Sequence, residues 1–294
     1  MTAAPSPRVC FVTCVRWPDV SESDGFVQRA LEARGATVTA RAWNAPEARF
    51  DGFDVVVFRS NWDYHHDPEP FLAWLARWEV AGVPFWNPPT LIRWNLSKRY
   101  LRDLEKAGLP VVPTVILEEG EAGRLPSVMA ERGWRLAVVK PVLSASAHDT
   151  TLVPAADAAT AARAIAEGRI RQPAMVQPFV EEIRREGEWS LVFIDGSLTH
   201  AVLKHPGAGD FRVQPRFGGR AAEARPEAGV AAVGRRALDA LPLAPLYARV
   251  DGVVTARGFM IMEVELHEPG LFFPLAPAAA EIFAHAILER TRQC

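Results

Sequence analysis

The chain has 294 residues, half of them hydrophobic, and a formal net charge of −2. That length predicts two or three compact lobes, and the near-balanced charge excludes a basic nucleic-acid-binding surface. No apolar run is long enough to span a membrane. The first eight residues are rich in Ala and Pro and lack a signal-peptide core, so a cytoplasmic location is expected. Cys10 and Cys14 stand four apart in one apolar run, too far for a disulfide within it, and read as buried structural thiols. Cys294 is the last residue.

In chain order, residues 8–15 form an apolar β-rich run, followed by a turn-forming loop, 16–24. Residues 26–34 have helical spacing and stop at Gly35. Residues 37–42 and 54–60 read as strands, the second continuous enough to be buried on both faces. Residues 68–81 place Phe71, Leu72, Leu75 and Trp78 on one helical face, Gly82 closes the helix, and 83–86 is a short strand. This alternation is an open α/β lobe, in which ligands sit beyond the carboxyl ends of the strands. Two loops qualify: 16–24, and Arg59-Ser60-Asn61-Trp62-Asp63-Tyr64-His65-His66. The second is polar and rich in rings, which fits either a substrate pocket or a hydrogen-bonded turn. Its paired histidines alone do not make a metal site.

Asn87-Pro88-Pro89 marks a lobe boundary. A helix is predicted to open at 95–101 and to end at Gly108. Residues 111–117 are a strand, 127–132 a short helix, and 136–141 a strand closing in Lys140-Pro141. Residues 142–149 are small and hydroxylated; 151–153 is a strand and 157–167 an Ala-rich helix. A strand at 174–180 runs through Pro178 into a charged segment, 181–188. The last third is β-rich, with strands at 189–194, 198–204 and 211–214, a helix at 227–241, two acidic strands, and a terminal helix at 277–290.

The acidic strands, 248–253 and 260–266, carry the densest chemistry. Glu263 and Glu265 are two apart and share a face, with Met262, Val264 and Leu266 on the other. An antiparallel neighbour brings Asp251 to the same face. Three carboxylates on one face repel unless neutralised. A hard divalent cation with oxygen ligands, such as Mg²⁺ carrying nucleotide phosphates, answers that; a solvated face of ordinary acids is the other reading. Only Lys98, Lys106, Lys140 and Lys204 are lysines among 33 basic residues. In a chain that otherwise uses Arg, a compact ammonium suits phosphate contact.

Together these parts resemble the ATP-grasp ligases. They are a lysine at a helix start, Lys-Pro closing a strand, a small-residue loop, Gln177-Pro178-Phe179-Val180, Gly209-Asp210-Phe211-Arg212, and Asp251 followed by Glu263-Val264-Glu265. The chain is most similar to the group that includes the O-ureido-serine cyclo-ligase. The signatures are Arg59-Ser60-Asn61-Trp62-Asp63-Tyr64, Arg93-Trp94-Asn95, Gly187-Glu188-Trp189-Ser190-Leu191, His200-Ala201-Val202-Leu203-Lys204 and Glu263-Val264-Glu265-Leu266-His267-Glu268-Pro269. The resemblance covers about residues 87–273 and rests on order and spacing rather than on one motif. It implies an α/β ATP-grasp fold, with an N-terminal open α/β lobe at 1–94, a central lobe at 95–178 and a C-terminal lobe at 179–294.

The resemblance also implies roles. Lys98 and Lys140 match the two nucleotide lysines. Gln177, Phe179 and Val180 match the adenine hinge; Pro178 has no N–H, so Phe179 and Val180 must supply the backbone pairing. Glu188 matches the ribose position, with Glu181 and Glu182 as rivals. The loop after Lys140-Pro141 is usually glycine-rich in this superfamily. Here Ser144 and Ser146 stand in it, and their hydroxyls and backbone N–H groups would cap the γ-phosphate, although φ > 0 costs more without glycine. Arg212 would stand by the γ-phosphate, Lys204 by phosphate or substrate, and Arg249 by a carboxylate near the metals. Asp251, Glu263 and Glu265 would hold Mg²⁺, or Mn²⁺ in its place. Glu265, where relatives often have Asn, is expected to tighten the metal. Arg16, Arg59, Asp63 and Tyr64 are candidates for recognising a small amino-acid-like substrate.

The implied reaction is phosphorylation of a carboxylate by ATP, then attack by nitrogen on the acyl phosphate, releasing ADP and phosphate. The most similar group implies ring closure of O-ureido-D-serine to D-cycloserine, an antibiotic. An intermolecular amino-acid ligase, a kinase and a non-catalytic nucleotide sensor are the alternatives. Neither a nucleic-acid nor a membrane partner is expected, and a homo-oligomer is expected by analogy only.

Overall fold

The computed structural model describes residues 5–145 and 149–292. The first sheet is parallel and consists of β1 (Arg8–Thr13), β2 (Thr37–Ala42), β3 (Val55–Phe58) and β4 (Phe85–Trp86), in the order β2-β1-β3-β4. Helices α1 (Asp24–Glu32) and α2 (Pro68–Val80) make its crossovers. Alternation along β1 splits two cores: Val9 and Phe11 pack with Leu31 of α1, whereas Cys10, Val12 and Cys14 pack with Phe71 and Leu75 of α2. Both thiols are buried as expected. Burial drives Cys10 far up and Cys14 to about 11, so neither is a thiolate at neutral pH.

Helices α3 (Pro89–Leu96) and α4 (Tyr100–Lys106) lead into the second sheet. It holds β5 (Val115–Leu117), β6 (Leu136–Pro141), β7 (Thr151–Pro154) and β8 (Ala174–Pro178), paired antiparallel as β5-β8-β6-β7 and backed by α5 (Leu125–Glu131) and α6 (Ala158–Ala166). Short helix α7 (Glu182–Glu186) opens the third part. Its strands are β9 (Glu188–Ile194), β10 (Ser197–His205), β11 (Arg220–Glu223), β12 (Tyr247–Thr255) and β13 (Gly258–Glu265). They pair antiparallel as β11-β10-β9-β12-β13. Helix α8 (Ala228–Asp239) covers this sheet. The last helix, α9 (Pro277–Thr291), packs against α1, and its Phe283 and Ile287 share a core with Val9 and Val55 of the first sheet and Val192 and Ile194 of the third.

Three sequence expectations are corrected. The predicted helix 95–108 is two helices with a break at Ser97, whose backbone is extended. Pro89 at the first turn starts α3 early, and the break lets Lys98 N–H reach Val142 C=O at 2.9 Å. No strand forms at 211–214. The Asp210 carboxylate takes the N–H groups of Phe211 and Arg212 at 2.7 and 2.9 Å, which turns the chain away from the sheet, and β11 forms later. Of the strand expected at 111–117, only β5 joins the second sheet; Val111 bridges instead to Ile261 of β13.

That bridge belongs to a seam along the outer edge of β13. Ile261 N–H donates to Pro110 C=O at 2.7 Å and Val112 N–H to Ile261 C=O at 2.9 Å. Val264 N–H donates to the Tyr100 hydroxyl at 2.9 Å. Buried Asn95 donates to Val264 C=O and accepts from Leu266 N–H, both at 2.8 Å. Buried Asn87 does likewise one step on, donating to Tyr247 and Leu266 C=O and accepting from Leu246 N–H. A bare strand edge is thus satisfied by α3, α4 and two asparagines. Asn95→Ala strands two buried backbone groups, and a loss of about 2–5 kcal/mol is expected. Urea unfolding monitored by circular dichroism checks this; an unchanged midpoint would contradict it.

Candidate active site

A cavity of about 370 Å³ is lined by the second and third sheets and by a loop of the N-terminal lobe. β6 contributes Lys140 and β8 contributes Gln177 and Pro178. β9 contributes Glu188, β10 Lys204, β12 Arg249 and Asp251, and β13 Glu263 and Glu265. Lys98 enters from the α3–α4 break and Trp62 and Tyr64 from the loop after β3. Leu143 and Ala145, after β6, pack on the N-terminal core, and Arg171 donates to His65 C=O at 2.9 Å, joining the second sheet to the first.

Strand register sets the charge pattern. Asp251 stands opposite Glu263, and Arg249 opposite Glu265, so all four side chains share a face. Glu188 stands opposite Lys204. Gly187, just before it, has φ +82°, and a Cβ there would lie 2.6 Å from Lys204 C=O, so only glycine lets the strand begin here. Lys98 pairs with Glu263, and Lys204 with Glu188, with Asp251 at 3.8 Å. Arg249 binds Asp251 at 2.8 Å, also pairs with Glu265, and donates to Gly270 C=O at 3.0 Å. Ser190 donates to Asp251 at 2.6 Å.

Each ionisation follows from these pairs. Burial opposes the charge on Lys98 and Lys204, but Glu263 and then Asp251 and Glu188 outweigh it and both sit above the usual lysine range. Lys140 has no carboxylate within 4 Å among the described residues, so burial, reinforced by Lys98, lowers it. Burial raises Asp251, yet Arg249 and Lys204 prevail and hold it at about 2. Glu263 is likewise held low, against burial, by Lys98 and Lys140. Glu265 goes the other way: burial and the charges on Glu263 and Asp251 overcome Arg249 and raise it to about 8. The extra charge expected from Glu265 is therefore opposed by its acidic neighbours and answered by Arg249.

Known proteins resemble this chain in sequence and fold. The family profile described as the D-cycloserine synthetase DcsG N-terminal domain matches residues 9–87. The cycloserine biosynthesis protein DcsG of Streptomyces lavendulae is 34% identical over 280 residues, covering 90% of this chain and 92% of that one. The chain belongs to the DcsG family. The crystal structure of D-cycloserine synthetase DcsG superposes with a TM-score of 0.87 at 30% identity, covering 97% of this chain and 99% of that one. An ATP-grasp ligase PsnB complex with Mg and ADP (20% identity, TM-score 0.67, 96% and 98% covered) shares the fold. So does D-alanine–D-alanine ligase from Bacillus anthracis (16%, 0.74, 98% of each).

Within this family frame the structure sorts the candidates. Lys98, Lys140, Ser144, Gln177, Phe179, Val180, Glu188, Lys204, Arg212, Arg249, Asp251, Glu263, Glu265 and Tyr64 all line the cavity. Ser146 lies outside the described residues. Glu181 is corrected: it is exposed, pairs with Arg184 and does not line the cavity, because the turn into α7 points it outward. The hinge expectation is corrected in part. Phe179 N–H donates to Leu136 C=O at 2.9 Å, and the Gln177 amide donates to the Thr114 hydroxyl at 2.9 Å, so the N–H expected of Phe179 is already taken within the fold.

Three substrate candidates are corrected. Arg59 is a buried strut, bonded to Asp24 at 2.7 Å and to Pro269 C=O at 3.1 Å, with Tyr247 and Phe283 rings beside it. Asp63 accepts from Trp43 Nε1 at 2.7 Å and Asn44 at 2.9 Å. Arg16 lies over Trp17 and shares with Asp63 a separate surface cleft. In the sequence a strut and a ligand-binding arginine look alike. Residues the sequence reading gave no role include Trp62, Asn95, Ser190, Phe272 and Glu268. Trp62, Asn95, Ser190 and Glu268 stand in the quoted signatures, and Ser190 is also two residues from Glu188 on the same strand face; Phe272 had no signal.

Arg249 is the one guanidinium that Asp251 and Glu265 share. Arg249→Ala leaves two buried carboxylates facing each other, and a stability loss of about 3–5 kcal/mol is expected. Thermal unfolding checks it: the midpoint falls, and millimolar Mg²⁺ recovers part of the fall. A midpoint equal to wild type would contradict the shared-cation account.

Proposed function

We propose that this ATP-grasp ligase is a cyclo-ligase that closes O-ureido-D-serine to D-cycloserine, and that the cavity residues divide the work as follows. Lys98, Lys140 and Lys204 neutralise the nucleotide's phosphates as point charges. The hinge backbone at Val180 receives adenine, and Glu188 the ribose. Arg212, on a loop and paired with Asp210 at 2.7 Å, turns to the transferring phosphoryl group.

The observation that carries the reading is the meeting of two buried lysines, the half-buried Lys140 and three carboxylates in one cavity with few other roles open to them. The donor set fits Mg²⁺: Asp251, Glu263 and Glu265 offer oxygen only, on one sheet face. Among the described residues no three His, Cys, Asp or Glu side chains stand as a ready-made metal group, because Lys98 and Arg249 occupy the carboxylates. Binding the phosphates frees Glu263, since Lys98 exchanges one anion for another. Mg²⁺ when bound supplies charge neutralisation between phosphates and the incoming carboxylate.

In the proposed reaction the substrate carboxylate oxygen takes the γ-phosphoryl group and ADP leaves. The side-chain nitrogen bound to oxygen then attacks the acyl carbon and phosphate departs. A water releases the carbamoyl group as carbon dioxide and ammonia, which balances the atoms. Arg249 and Lys98 hold the carboxylate end, and closure of the second sheet on the first through Leu143, Ala145 and Arg171 keeps water from the acyl phosphate. No nucleophilic side chain is required.

The test is Mg-ATP-dependent ADP release with O-ureido-D-serine, its L-isomer and a panel of small amino acids, with product masses recorded. ADP and D-cycloserine from the D-isomer alone are expected, with Lys140→Ala lowering turnover by about 100-fold or more. A condensed product of two amino acids would establish the intermolecular alternative instead.

A further inference from the structure

The cavity is lined by five acids, and four of them have a Lys or Arg partner: Glu188, Asp251, Glu263 and Glu265. The fifth, Glu268, does not. Its carboxylate side chain is nine-tenths buried. Among the described residues its one ion-pairing neighbour within 4 Å is His267, with Nδ1 at 2.8 Å. The Asn61 amide stands 2.7 Å from the other ring nitrogen of His267. Tyr64 offers its hydroxyl to the same carboxylate. Burial raises Glu268, but His267, Tyr64 and the more distant Lys98 outweigh it, so Glu268 is an anion at neutral pH. The result is a buried carboxylate that faces the cavity with a histidine and a tyrosine hydroxyl beside it and, among the described residues, no Lys or Arg within 4 Å. Burying an anion on such terms is costly unless a cation joins it.

We propose that Glu268 is the substrate's ammonium anchor: it binds the α-ammonium of a zwitterionic amino acid, with Trp62 and Tyr64 as the walls of that subsite. This rests on the ligase reading above and names what that reading leaves open, the group that selects an amino acid over a plain acid. The placement is suitable. An α-ammonium is two bonds from the carboxyl carbon, so its anchor must stand beside the acyl site. Glu268 follows Glu265 by three residues, a reach of at most about 10 Å. Trp62 Nε1 donates to Glu268 C=O at 3.2 Å and fixes this segment against the N-terminal loop. The assignment also has a chemical purpose. Held on a carboxylate, the ammonium fixes the substrate at its Cα and turns the side-chain nitrogen towards the activated carboxyl group.

The experiment compares O-ureido-D-serine with 3-(ureidooxy)propanoate, which lacks only the amine, using wild type, Glu268→Gln and Glu268→Asp. Mg-ATP affinity is measured on each variant to show that the nucleotide site is intact. Wild type is expected to prefer the amine-bearing substrate strongly. Glu268→Gln is expected to raise its KM about 30-fold or more while leaving that of the amine-free acid within about threefold, and Glu268→Asp to fall between. Equal losses on both acids would overturn the anchor and make Glu268 a support for His267 and Tyr64. A wild type that accepts both acids equally would overturn it too. A wild type inert towards O-ureido-D-serine brings down the cyclo-ligase reading and the anchor with it, and is recognised without any variant.

Discussion

The outer edge of β13 must be paired by something, and what pairs it decides where the charges of the cavity stand. β13 is the last strand of its sheet and carries Glu263 and Glu265. Its free backbone groups are taken by Pro110, Val112, Tyr100 and Asn95, from the segment that joins the first sheet to the second. The same segment has to break between α3 and α4 to follow that edge, and Lys98 occupies the break. A backbone requirement thus places a lysine on Glu263. Asn87 extends the seam to the end of β12, so the N-terminal lobe and the acidic sheet meet along hydrogen-bonded backbone as well as along apolar surface.

Within the cavity the governing quantity is charge compensation. Five cationic and five acidic side chains line it (Lys98, Lys140, Lys204, Arg212 and Arg249 against Glu188, Asp251, Glu263, Glu265 and Glu268), so the lining is formally neutral although individual groups are not. Most are paired with one another. Of these ten, and among the described residues, Lys140 has no carboxylate and Glu268 no Lys or Arg within 4 Å, and the two bear opposite signs. A ligand set with phosphate at one end and an ammonium at the other completes both. The paired groups exchange partners with an incoming phosphate and cation at modest energetic cost, because each buried charge remains compensated throughout.

Much of this was legible in the sequence, for physical reasons that differ by residue. Asp251, Glu263 and Glu265 were found because a strand alternates with period two and the acids obey it. Lys98, Lys140 and Lys204 stood out because lysine is scarce in an arginine-rich chain. Glu188 and Glu181 are indistinguishable by composition; the register that sets Glu188 opposite Lys204 separates them. Arg59 was misread because its counter-ion, Asp24, lies 35 residues earlier and no local pattern joins them. Glu268 and His267 stood in one of the signatures but gave no hint of a role, since their environment is made by Asn61 and Tyr64 from a loop two hundred residues away. The helix break at Ser97 was missed for the same reason: local spacing favours one helix, and the edge of β13 overrides it.

The central claim is that Lys98 holds Glu263 until nucleotide phosphates take that cation and open the proposed metal site. Titration calorimetry of Mg²⁺ into the protein, with and without a non-hydrolysable ATP analogue, tests it most directly. The account predicts measurable Mg²⁺ binding only when the nucleotide is present, and a matching loss of nucleotide affinity when Mg²⁺ is withdrawn. Equal Mg²⁺ affinity with and without nucleotide would contradict it, because Glu263 would then already be free.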